Sequence, residues 1–236
     1  MEYVRTKRIP MRMMFFFLAI LPVIFLKDFY DHFYAYLSGS VITDVIRNEW
    51  HIVAISVAAS IVFFALITFR RKVKRIEKGI VSAFFVSLFV EMYGTPLTIV
   101  FASKYFWKPG IVLPENVYEF YFLGVGFGMD IAMAYGTILI IIGILLIVSG
   151  WVALYKSAKN RGMADSGIYS ISRHPQYLGF ILMIVGWLFG WPTLLTVVFA
   201  PVMVYKYIML CITEEKEIVK EYAEYEKYKE AVPFLV

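Results

Sequence analysis

IAMAYGTILIIIGILLIVSGWVALY, residues 131–155, runs for 25 positions without one charged side chain. At about 1.5 Å of rise per residue, a helix of that length crosses about 30 Å of hydrocarbon with residues to spare. A water-soluble domain has little use for it, because one flank of such a helix would have to meet solvent.

Moving outward from this segment, the same test marks residues 10–26, 51–69, 79–101, 176–191 and 192–213. The first is short unless Arg12 snorkels toward the headgroups, and the second stops abruptly at Arg70 and Arg71. The last two are parted only by Trp191 and Pro192, which predicts a tight helical hairpin with aromatics at its tip. Across the 236 residues, 61% are hydrophobic and 17% charged, against about half and a quarter in ordinary soluble domains. The expected fold is therefore all-α, a membrane bundle of about six helices. Residues 1–130 would supply three spans and external loops, and residues 131–236 three more spans and a polar tail. A cleaved signal peptide is the alternative for the basic, then apolar, N-terminus, but no small-residue cleavage pattern follows Leu26.

Charge orients the bundle. Eighteen of the 23 lysines and arginines fall on one side of these spans, in the N-terminus, after Phe69, around Lys156 to Arg173, and in the tail. That side should be cytoplasmic, with both termini on it, in a cytoplasmic membrane or a eukaryotic endomembrane. Topology alone thus accounts for the net charge of +5, and nucleic-acid binding is not called for. One cysteine, Cys211, excludes a disulfide framework, and His32, His51 and His174 are too scattered for a metal cluster. The intervening segments 27–50 and 102–130 read as external loops, some with short interfacial helices. In the second, Gly124, Gly126 and Gly128 superficially match a dinucleotide loop, but without a βαβ unit a turn or helix packing is the better reading.

The polar residues that could do chemistry cluster where spans begin and end on the cytoplasmic side. Arg173-His174-Pro175 opens the fifth span. Proline fits a first helical turn, and the free amides beside Arg173 and His174 would favour an anion. The plainer reading is a snorkelling arginine and a capping histidine. Glu214 and Glu215 follow the sixth span, where two adjacent carboxylates call for a partner. A salt bridge to Arg173 would serve, as would the hydroxyls of a nucleotide-like ligand. Beyond Thr213, the spacing of Ile218, Tyr222, Tyr225 and Val232 predicts an amphipathic helix lying against another surface. Glu91, deep in the third span beside Gly94 and Pro96, is expensive to bury there unless protonated or paired. It is a candidate acceptor-side group or a polar contact between helices.

Gly167, Tyr169, Arg173-His174-Pro175, Tyr177, Gly179, Glu214-Glu215, Tyr225, Tyr228 and Val232-Pro233 stand in an order that resembles the C-terminal signature of integral-membrane methyltransferases. That group includes isoprenylcysteine carboxyl methyltransferase and the phospholipid N-methyltransferases. The resemblance covers about residues 135–233, and the first three spans add little to it. It implies S-adenosylmethionine as cofactor, held by Gly143, Tyr169, Arg173, His174, Tyr177, Gly179, Glu214 and Glu215. Arg173 and Glu91 would be the catalytic candidates, and no metal is implied. The acceptor would be a lipophilic small molecule, a lipid or a prenylated group reached from the bilayer. Sterol and steroid reductases have a similar Arg-His-Pro-x-Tyr-x-Gly hairpin but use NADPH, so a membrane reductase is the alternative. A transporter or scaffold is the non-enzymatic one.

Overall fold

The computed structural model describes residues 2–38, 115, 117–122, 125–159, 164–222 and 224–235. The expected spans at 51–69 and 79–101, with Glu91, Gly94 and Pro96, lie outside the described residues.

The described chain is mostly helical. Helices α1 (Glu2–Ile24) and α2 (Leu26–Leu37) are followed by strands β1 (Tyr118–Phe122) and β2 (Val125–Met129). Then come α3 (Ile131–Lys159), a 3-10 turn (Gly167–Ser170), α4 (Pro175–Gly190), α5 (Leu194–Glu221) and α6 (Tyr225–Ala231). Among the described residues, Ile131–Ser157 and Thr196–Lys220 are long and apolar enough to cross a membrane, while Pro175–Gly190 is a shorter apolar helix. Helices α1 and α2 meet that criterion only when taken together as one broken span.

Burial agrees with a lipid solvent. On α3, Ala132, Tyr135, Leu139, Leu146 and Ile147 are buried, whereas Ile138, Ile141, Ile144, Leu145, Val148 and Trp151 are exposed. So continuous an apolar exposed face would aggregate in water and is at home in hydrocarbon. This is a membrane protein.

Two expectations are corrected. Tyr118–Phe122 and Val125–Met129 pair as antiparallel strands, Tyr118 opposite Met129 and Phe122 opposite Val125, where short interfacial helices were expected. Aromatic side chains at four of the five positions from Tyr118 to Phe122 suit a pleated strand better than a helix. Gly126 and Gly128 therefore lie in β2, opposite Tyr121 and Glu119, and not in a helix-packing motif or a dinucleotide loop. The second correction concerns the tail. The charged run after Thr213 is helical, but its first part continues α5 without a break to Glu221. Only the seven residues of α6 form a helix of their own.

The chain divides into two compact units: Met1–Leu26, Tyr135–Trp187 and Val202–Val236 in one, Lys27–Ala134 and Leu188–Pro201 in the other. In the first, the Tyr135 hydroxyl donates to the Leu18 carbonyl at 3.0 Å, tying α3 to α1. Helices α3 and α4 meet along glycines. A Cβ added at Gly143 would lie 2.6 Å from the carbonyl oxygen of Gly179, and one at Gly179 2.6 Å from that of Gly143. Gly186 stands in the same relation to the carbonyl of Gly136. The seven-residue spacing on both helices keeps these positions on one seam, where backbones touch directly.

In the second unit, Phe29 and Phe33 pack edge-on against Phe189 at 5.6 and 5.7 Å. His32 Nδ1 lies 2.6 Å from Asp130 Oδ2, and the other carboxylate oxygen accepts the Met133 amide at 2.8 Å. Asp130 thereby caps the first turn of α3, where a negative charge is favoured. Thr193 and Thr196 cap α5 reciprocally: the Thr196 amide donates to Thr193 Oγ1 at 3.1 Å, and the Thr193 amide to Thr196 Oγ1 at 2.7 Å. This is a capping box with threonine in place of the usual Glu or Gln.

Candidate functional site

The site is built in the first unit, from the approach to α4, the exit of α5 and the tail. Gly167 begins the approach with a φ of 65°, a left-handed turn that costs a side-chain-bearing residue energy. The 3-10 turn that follows buries Tyr169, and Pro175 then occupies the first position of α4, where its missing N–H costs nothing. The His174 amide is held by Ser172 Oγ at 3.2 Å.

The register of α5 separates the two glutamates. Thr196, Ala200, Met203, Tyr207 and Cys211 are its buried residues, and Glu215 is the next on that face at 8% exposure. Glu214, about 100° around the helix, is exposed and lines a cavity. Buried Glu215 meets two partners through one oxygen: Arg173 Nη1 at 2.8 Å and His174 Nε2 at 2.9 Å. The arginine contact is close but not aligned with an N–H bond, so it is Coulombic rather than a hydrogen bond. The histidine donates Nε2–H to the carboxylate, which has no proton to give.

The tail covers this triad. The Arg173 amide donates to the Pro233 carbonyl at 3.1 Å, and the Phe234 ring packs 5.0 Å from the His174 ring and 5.4 Å from the Arg173 guanidinium carbon. The Tyr228 hydroxyl donates to the Tyr169 carbonyl at 2.7 Å. Electrostatics follow from this enclosure. Burial pushes the His174 pKa below its ordinary 6.5, against the opposing pull of Glu215. Burial, then Glu215, pushes the Tyr225 hydroxyl up to about 12. Tyr169 and Tyr228 are likewise raised, chiefly by burial. At neutral pH the histidine is uncharged and these tyrosines keep their protons.

Beside the triad lies a cavity of about 270 Å³. Tyr169, Arg173, His174, Tyr177 and Glu214 from the sequence-derived set line it, together with Gln176, Tyr222, Tyr225 and Tyr228. Glu215 supports the wall from behind through Arg173 and His174. Gly143 and Gly179 are absent from the lining, and the contact that demands glycine there is the crossing of α3 and α4. Glu91 lies outside the described residues. Among the described residues, no cluster of three or more His, Cys, Asp or Glu could hold a metal.

Sequence reasoning missed Gln176 and Phe234. Gln176 sits inside the quoted signature as its variable position, and only its place in the first turn of α4, next to Arg173, could have flagged it.

A family model described as a protein of unknown function (DUF1295) matches residues 67–232, a span that includes every cavity residue named above. No curated protein and no solved structure matches the chain.

Proposed function

The chain belongs to the DUF1295 family, and for this member we propose S-adenosylmethionine-dependent methyl transfer to a lipophilic acceptor at the membrane. The observation that carries the proposal is the meeting of the start of α4 and the exit of α5 around one cavity, with Arg173 2.8 Å from Glu215. Arg173 and Glu215 are 42 positions apart in the chain, so the cavity is a product of the fold and not of one local motif.

The wall suits the cofactor's groups. Arg173 Nε is buried without a hydrogen-bond partner, an uncompensated donor that a carboxylate would satisfy. Glu214, which lines the cavity beside Tyr177, has carboxylate lone pairs that could accept ribose hydroxyls or face an ammonium group. Tyr169, Tyr177 and Tyr222 line the cavity, and aromatic rings there could offer π-electron density to a sulfonium. When bound, S-adenosylmethionine supplies an electrophilic methyl that leaves its sulfur as a thioether. The protein's part is to bind, orient and exclude water. His174 is uncharged and engaged with Glu215, and the tyrosines are held protonated, so the cavity has no strong base to spare. An acceptor that arrives as an anion, a carboxylate or a thiolate, needs none. It would enter from the bilayer, and the cofactor from the cytoplasmic side.

The tyrosine hydroxyls also favour a second reading, an NADPH-dependent membrane reductase, because reduction of a carbonyl or alkene needs a proton donor after hydride transfer. Calorimetry on detergent-solubilised protein separates the two. Binding of S-adenosylmethionine, weakened by Arg173→Ala, is expected. NADPH binding in its place would establish the reductase, and binding of neither would remove both. Glu91→Gln should lower turnover and leave cofactor affinity unchanged if that group faces the acceptor.

A further inference from the structure

Gly136, Gly143 and Gly150 lie seven residues apart on α3, and Gly150 behaves differently from Gly143. A Cβ at Gly143 would strike the backbone of α4, as described above. A Cβ at Gly150 would instead lie 2.5 Å from Gln176 Cγ and 3.4 Å from its Cδ and Nε2. Gly150 is buried, and what occupies the space of its missing side chain is the stem of Gln176. The amide thus held lines the cavity, yet its Nε2 is buried and donates to nothing. Arg173, two residues before Pro175, lines the same cavity with a side chain that is 10% exposed, and its Nε is equally unpartnered. Two buried donors left unsatisfied on one cavity wall cost free energy, which a ligand able to accept from both would recover.

We propose that Gln176 is a ligand-binding residue of this cavity: its amide N–H and the Arg173 Nε–H together receive an oxyanion of the bound molecule, and Gly150 exists to seat Gln176 for that contact. The inference rests on the reading of the cavity as a cofactor site and deepens it. Glu215 already balances much of the arginine's charge through Nη1, so the oxyanion is selected by directed hydrogen bonds as much as by net charge. A carboxylate on an amino-acid-bearing cofactor and a phosphate on a nucleotide share this chemistry.

The test is calorimetric titration of the detergent-solubilised full chain with S-adenosylmethionine, its decarboxylated analogue and NADPH. The variants are Gln176→Ala, Gln176→Glu, Gly150→Ala and the double variant Gly150→Ala with Gln176→Ala. For S-adenosylmethionine, Gln176→Ala should lose about tenfold in affinity, the scale of one hydrogen bond to a charged group. Gln176→Glu, which keeps the shape but replaces the donor with a negative charge, should lose more. Gly150→Ala should match Gln176→Ala, and the double variant should lose no more than either alone. The decarboxylated analogue should bind wild type and Gln176→Ala equally.

NADPH binding that weakens in the same pattern, without S-adenosylmethionine binding, overturns the methyl-transfer reading while supporting the inference with phosphate as the oxyanion. Binding of either molecule that neither Gln176 variant alters overturns the inference alone. So does a double variant whose losses multiply, and Gln176→Glu tests the donor even where Gly150→Ala fails to fold. Binding of neither molecule overturns both.

Discussion

Two buried histidine–carboxylate pairs, one in each unit, use similar parts to different ends. His32 and Asp130 are 2.6 Å apart, His32 is fully buried, and the carboxylate spends its second oxygen on the first turn of α3. His174 and Glu215 are 2.9 Å apart, but a third partner, Arg173, shares the same oxygen, and the histidine and arginine both line a cavity. The first pair closes a helix end and joins α2 to α3. The second holds an arginine in place while leaving some of its donors unmet. What separates a structural dyad from a candidate site is therefore not the histidine or the carboxylate. Each pair leaves a buried nitrogen unmet, His32 Nε2 in the first and Arg173 Nε in the second, and what sets the second apart is the cavity beside it.

Breaking the second pair should have the largest effect. Glu215→Ala leaves Arg173 buried without its counterion, and loss of one partner of a buried ion pair costs about 3–5 kcal/mol. Thermal denaturation should show it as the least stable of the variants considered, with ligand binding lost as well. Gly143→Ala comes next, because its methyl would be driven onto the Gly179 carbonyl. Overpacking of that kind costs about 1–3 kcal/mol, read as a lower melting temperature. Asp130→Ala removes a cap and a buried hydrogen bond, each worth about 1 kcal/mol. It should lower melting by a similar or smaller amount, with cofactor affinity unchanged.

The smallest expected effect is a pH dependence of the second pair. Folding lowers the His174 pKa below its ordinary 6.5, so the unfolded chain binds the proton more tightly than the folded one. The contribution of neutral His174 is fully present above about pH 6.5 and is lost as the pH falls through the lowered folded value. Melting curves from pH 7.5 to 5 should fall on the acid side, and His174→Gln should flatten part of that fall. An unchanged curve in the variant would remove His174 as its source.

Much of this was legible in the sequence, for physical reasons that differ by element. Helix α3 and the α4–α5 hairpin announce themselves because hydrocarbon admits no other backbone arrangement over such lengths. Arg173, His174, Tyr169, Tyr177 and the glutamate pair were marked by polar residues crowded at span ends and by the resemblance carried on them. The division of labour between Glu214 and Glu215 was not legible until the buried face of α5 fixed which of them points inward. The pairing of β1 with β2 was missed because an aromatic-rich segment between spans fits a loop as well as a strand. The His32–Asp130 pair joins residues 98 positions apart, beyond the reach of any local pattern. The roles of Gly150 and Phe234 emerge only from what they touch.

The central claim is most directly tested by equilibrium binding of radiolabelled S-adenosylmethionine to wild type, Arg173→Ala and His32→Ala in detergent, with folding checked by melting. The expected result is saturable binding to wild type, a loss of tenfold or more in Arg173→Ala, and wild-type affinity in folded His32→Ala. Absence of binding to wild type, or equal losses in the two variants, would contradict the account.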